Sequence, residues 1–102
     1  MKEYKLKYSE LAFADIEMLS DFAMKMHTID FAMRYVARLR SEIESLSYIA
    51  GLLPESKYRL PKLYHPQAKT LAVGKRKLTV IFHIESEYVM VDKILPSCMM
   101  TY

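Results

Sequence analysis

Tryptophan is missing from these 102 residues, and cysteine occurs once, at Cys98. A lone cysteine excludes an intramolecular disulfide and any zinc site built on several thiolates. No stretch approaches the roughly 18 consecutive apolar residues that a membrane-spanning helix requires. The opening residues, Met1-Lys2-Glu3-Tyr4-Lys5, pass straight into an alternating pattern and lack the apolar core of a signal peptide. The three histidines, His27, His65 and His83, are too far apart for metal-ligand spacing. These absences give the expectation of a cytoplasmic protein with no metal, no other cofactor and no membrane partner.

One further absence is local. From Lys57 to Lys77 there is no acidic residue, while seven of the chain's fifteen basic residues fall there. The remaining eight bases stand against all twelve acids, so the rest of the chain sums to −4 although the whole carries +3. Segregation of this kind produces a cationic face suited to nucleic acid or to an acidic protein surface. The bland alternative is a solvated loop and hairpin tip that happen to be basic.

What is present fits one globular domain, 1–102. Hydrophobic residues make up 52% and charged residues 26%, unlike a disordered chain. Eight Met and eight Tyr supply an adaptable core and amphipathic surface.

Period-two alternation over residues 3–8 puts Tyr4, Leu6 and Tyr8 on one face of a half-buried strand. Ser9 suits an N-cap, and Ala12, Ile16, Leu19, Ala23 and Met26 form the stripe of a helix over about 9–26. His27 and Thr28 break it. Thr28 can cap a second helix, with Asp30 in its first turn. The stripe Ala32, Tyr35, Val36, Leu39, Ile43, Leu46 and Ala50 extends that helix to a stop at Gly51 (a C′ position) and Pro54. Arg34, Arg38, Glu42 and Ser45 fall on its outer face, with Arg38 and Glu42 four apart. Residues 52–67, with Pro54, Pro61 and Pro66, read as a loop. Three strands follow, over 69–73, 77–85 and 88–95, separated by turns at Gly74-Lys75-Arg76 and Ser86-Glu87. The last is apolar enough to be buried on both faces for part of its length. The expected class is α+β, in the order β-α-α-β-β-β, with a helical hairpin packed on a small, mainly antiparallel sheet.

This order resembles the RelE/ParE toxin superfamily, and the similarity covers nearly the whole chain. Its carriers are Ser9-Glu10-Leu11-Ala12-Phe13-Ala14-Asp15-Ile16, then Ala32-Met33-Arg34-Tyr35, then the hairpin formed by Leu78–Glu85 and Val89–Leu95. The resemblance implies the toxin of a two-gene toxin–antitoxin module, of the ParE-like, plasmid-stabilising kind. It also implies a cognate antitoxin as partner. ParE-like members poison DNA gyrase, whereas RelE-like members cleave messenger RNA on the ribosome.

Metal-free RNA cleavage needs a base, cations for the phosphate and an acid for the leaving oxygen. The resemblance offers Lys69, Lys77, His83 and Tyr102 for those tasks. Pro96 and Cys98 stand where many relatives place a His and an Arg, and neither donates a charged hydrogen bond. A binding mechanism is therefore preferred, with Arg59, Lys62, Lys75, Arg76 and Lys77 of the acid-free stretch, plus Arg34 and Arg38, contacting the target. A degenerate member that poisons nothing, and a homodimer, remain open. On the residues alone, His83 reads as a sheet-surface histidine, His65 as a loop residue, His27 as a helix-end or solvent-facing residue, and Cys98 as an idle thiol.

Overall fold

Lys5, Leu6, Lys7 and Tyr8 alternate between exposed and half-buried, forming strand β1 (Lys5–Tyr8). The computed structural model, which describes residues 2–100, begins this strand two residues later than the alternation predicts. Tyr102 lies outside the described residues.

Ser9 caps α1 (Glu10–Met26): its Oγ accepts from the Ala12 amide at 3.0 Å and donates to the Asp92 carbonyl at 2.7 Å. One hydroxyl thus starts a helix and ties it to the far end of the sequence. Ala12, Ile16 and Ala23 are buried along α1, but Met26 is 61% exposed, because the stripe outruns the surface that covers it. Thr28 caps α2 (Ile29–Glu44), its Oγ1 accepting from the Phe31 amide at 3.2 Å.

The predicted second helix to residue 50 is shorter than expected. Ser45 Oγ donates to the Glu42 carbonyl at 2.6 Å, and the Ser45 amide splits between the Ser41 and Glu42 carbonyls. Such back-bonding competes with the helical ladder. The chain continues as a single turn, α3 (Leu46–Ile49), and a 3-10 turn over Ala50–Leu52. The core stripe survives the interruption, since Leu39, Ile43, Leu46 and Ala50 are all buried. Gly51 is not a left-handed C′ residue, because the only glycine with positive φ is Gly74. Its value is room: a Cβ at Gly51 would lie 3.1 Å from the Tyr4 hydroxyl.

The segment expected as loop carries a further helical turn, α4 (Arg59–Lys62), and near its start Glu55 forms an isolated bridge with Lys69. β2 (Lys69–Val73), β3 (Leu78–Glu85) and β4 (Tyr88–Pro96) complete a four-stranded sheet in the order β1-β4-β3-β2. β1 runs parallel to β4, and the other two pairings are antiparallel. The architecture is the α+β arrangement of a strand, a helical hairpin and three strands.

Val80 and Phe82 of β3 pack with Val89, Val91 and Ile94 of β4 against Ala12, Leu39 and Ile43 of the hairpin. Thr79, Ile81 and His83 point to the other face and are also buried, under the segment that contains Ser56, Pro61 and Ala68. β3, not β4, is therefore the strand buried on both faces. In β4 only Val89, Val91 and Ile94 are buried, and the residues between them, Met90, Asp92 and Lys93, are half-buried.

The register of β3 and β4 slips between Ile81 and Phe82, which face Lys93 and Val91, so Asp92 is the extra residue of a bulge. Asp15 of α1 fills the opening, accepting from the Ile94 amide at 3.0 Å and from Lys93 Nζ at 2.8 Å.

Candidate functional site

Gly74, Lys75 and Arg76 all have positive φ, of 60°, 57° and 68°. Side chains with a Cβ rarely adopt this region, so two such residues in succession need an outside restraint. Glu42 of α2 supplies one, accepting from the Gly74 amide at 2.7 Å. The predicted Arg38–Glu42 pair is thus replaced by a link from α2 to the turn. Lys75, Arg76 and Lys77 are exposed on this turn, and Arg38 stands one helical turn before Glu42. The link therefore brings the end of α2, one helical turn beyond Arg38, against the turn that carries the three cations.

Arg76 also lines an open cleft of about 520 Å³ on the sheet face away from the hairpin. Thr70, Thr79, Ser97 and Tyr58 give the cleft its polar atoms, and Leu53 and Leu71 give it an apolar side. Thr79 Oγ1 and Ser97 Oγ are 2.8 Å apart. α4 begins directly after Tyr58, so Arg59 stands beside the cleft, with Lys62 three residues on; both are exposed. A guanidinium among hydroxyls can hold an anion. Among the described residues no carboxylate or imidazole lines the cleft to move a proton.

Of the residues considered for RNA cleavage, the three described ones, Lys69, Lys77 and His83, are not brought together. Lys69 pairs with Phe82 across the strands and so shares its hairpin-side face, where Nζ donates to the Ala50 carbonyl at 3.3 Å. His83 is on the opposite face. Lys77 is exposed in the turn, six residues from His83, or about 20 Å along an extended strand. His83 and Thr79, the nearest cleft residue on β3, are separated by about 13 Å on the same basis.

A second constellation was not legible in sequence. His83 Nδ1 lies 2.7 Å from Asp92 Oδ2, and Nε2 lies 3.2 Å from Glu85 Oε2. The His65 ring stacks on the His83 ring, with centroids 3.8 Å apart and planes 3° from parallel. His65 Nδ1 accepts from the Gln67 amide at 3.1 Å. The imidazole expected on an open sheet surface is instead buried beneath a loop histidine. The only hint in the sequence is that His83 and Asp92 flank the Ser86-Glu87 turn. Their pairing also depends on the bulge. Among the described residues no group of three or more His, Cys, Asp or Glu is placed to hold a metal ion. His27 ends α1 and rests on Phe31, with centroids 4.1 Å apart, while the Cys98 thiol is exposed.

Among the described residues no helix is long and apolar enough to cross a membrane. No family model and no curated protein matches the sequence. A solved structure described as a chromosomal ParDE toxin–antitoxin system from P. aeruginosa is similar in fold. It aligns with a TM-score of 0.77 at 16% sequence identity, over 92% of this chain and 96% of that one. The chain shares the fold of that ParDE-system protein.

Proposed function

We propose that this chain is the toxin of a toxin–antitoxin module, that it acts by binding its target, and that a cognate antitoxin neutralises it in the cytoplasm. One observation carries the reading: a fold shared with a ParDE toxin–antitoxin protein bears clustered cations beside a cleft that no carboxylate or imidazole of the described residues lines. The strained turn presents Lys75, Arg76 and Lys77 at fixed spacing, and Arg59, Lys62, Arg34 and Arg38 widen the positive surface. DNA gyrase, an enzyme that works on a polyanion, is the target this reading favours.

Induced expression should arrest growth with signs of DNA damage, and purified protein should inhibit supercoiling by gyrase. The double variant Arg76→Glu/Lys77→Glu should weaken target binding by about tenfold or more, since two cations become two anions. Unchanged affinity removes the basic turn from the mechanism.

A RelE-like ribonuclease is the second reading, and the oriented pair His83–Asp92 is what favours it. Codon-specific cleavage of ribosome-bound messenger, abolished by His83→Ala, would establish that reading in place of the first.

A further inference from the structure

The turn between β2 and β3 closes on a bond from the Lys77 amide to the Gly74 carbonyl, at 3.2 Å. Lys75 and Arg76 are its two central residues, both with positive φ. A turn of that hand favours Asn, Asp and Gly at its centre, because a larger side chain is crowded there. Lysine and arginine have no such preference, so local chemistry alone does not settle the chain in this shape. The central residues suit the charge of the turn and not its conformation.

Two contacts from outside the turn fix its ends. Glu42 Oε2 accepts from the Gly74 amide at 2.7 Å, across 32 residues. The Ser97 amide, just after β4, donates to the Lys77 carbonyl at 2.9 Å. Lys75 and Arg76 lie between those two points and are exposed. Glu42 is half-buried, and it bonds a stretch, Lys57 to Lys77, that has no acid of its own. Charge and geometry therefore make opposite demands of this residue. By charge alone, a carboxylate beside three cations lowers the positive potential and weakens attraction to an anionic target. By geometry, it holds the cations ready in one arrangement, which spares the cost of ordering them on binding.

We infer that geometry prevails: Glu42 is a positioning residue for target binding, presetting the left-handed turn from α2 without touching the target. The inference rests on the proposed binding role of the turn and adds to it a residue outside the basic set. Without the Glu42 bond the turn spends part of its time in other conformations, and only the preset fraction binds. Apparent affinity then falls by that fraction, through slower association.

Glu42→Gln and Glu42→Met are the test. Both side chains are neutral and similar in length, and only the amide offers an oxygen to Gly74. Binding to purified DNA gyrase is followed by surface plasmon resonance, well below the melting temperature of each variant. Glu42→Gln should stay within about twofold of the unsubstituted chain. Glu42→Met should bind about fivefold more weakly than Glu42→Gln, with slower association and unchanged dissociation. The chain has two glycines, so the Gly74 amide is readily followed by NMR. Its exchange should quicken in Glu42→Met and not in Glu42→Gln. Circular dichroism confirms that each variant is folded. Should Glu42→Met unfold, Glu42→Asp, which keeps the charge but falls one methylene short, should show the same loss against the unsubstituted chain.

Equal or tighter binding by folded Glu42→Met overturns the inference, leaving Glu42 as a contributor to stability alone or as a repulsive charge. So does a loss confined to dissociation, which makes Glu42 a direct contact. If the unsubstituted chain fails to bind gyrase, the target reading falls and the role of Glu42 falls with it. Binding by that chain with no difference between Glu42→Gln and Glu42→Met leaves the target reading standing and removes Glu42 alone.

Discussion

Tyr8 of β1 buries its hydroxyl without a hydrogen-bond partner among the described residues, while the Arg40 guanidinium lies 6.0 Å from its ring centre. Burial pushes the phenol above its usual value of 10.0, Glu44 adds to the rise, and Arg40 opposes it. The folded chain therefore holds this proton more tightly than the unfolded chain. As pH rises past about 10 the unfolded state ionises first, so the contribution to stability is full below that pH and is lost above it. Tyr8→Phe should raise stability by about 1 kcal/mol at neutral pH by removing an unsatisfied hydroxyl. It should also flatten the loss between pH 9 and 11 (roughly, around the free phenol's value), as read by urea unfolding. Ser9 argues the opposite way. Its hydroxyl serves both the Ala12 amide and the Asp92 carbonyl, so Ser9→Ala should cost about 1–2 kcal/mol. A cost within a few tenths of Thr28→Ala, whose cap is exposed and makes no long-range bond, would show that the Asp92 contact contributes nothing.

Elements are joined here by side chains that occupy breaks in regular structure. Asp15 fills the β4 bulge, with Asp15 12% and Lys93 20% exposed at the side chain. Asp15→Ala should destabilise by about 3 kcal/mol, since it orphans both the Ile94 amide and a largely buried ammonium. Adding Lys93→Met should recover part of that loss, and a thermal-melt double-mutant cycle measures how much. His65→Ala should leave the global midpoint nearly unchanged while increasing amide exchange in 53–68, because the stack on His83 pins that segment to the sheet.

The element order, both N-caps and the core stripe of the hairpin could be read from periodicity and capping chemistry, which are local. The Ser45 interruption, the bulge at Asp92, the Glu42–Gly74 link and the His65–His83 stack could not. Each depends on a contact fixed by three-dimensional packing, or on a choice between two local hydrogen bonds of similar worth. The basic turn was visible as composition, but its three left-handed residues were not, since Lys75 and Arg76 give no sequence sign of positive φ.

At the scale of the whole molecule, positive charge is concentrated at the β2–β3 turn that Glu42 ties to α2. Target binding through the turn should fall steeply with added salt, and titration from about 50 to 200 mM salt measures that fall. The order of the sheet carries a different consequence. β4 is the last of the four strands along the chain, yet it lies between β1 and β3. It also supplies the carbonyl that Ser9 engages and the amide that Asp15 engages, 83 and 79 residues away. During synthesis, then, β1 and α1 emerge long before the strand that fixes them. The sheet has a gap at its second position until β4 arrives, leaving the edge of β3 and the apolar floor beneath the hairpin open to other contacts. Folding waits on a closure of high sequence separation, which makes it slow for a chain of this size.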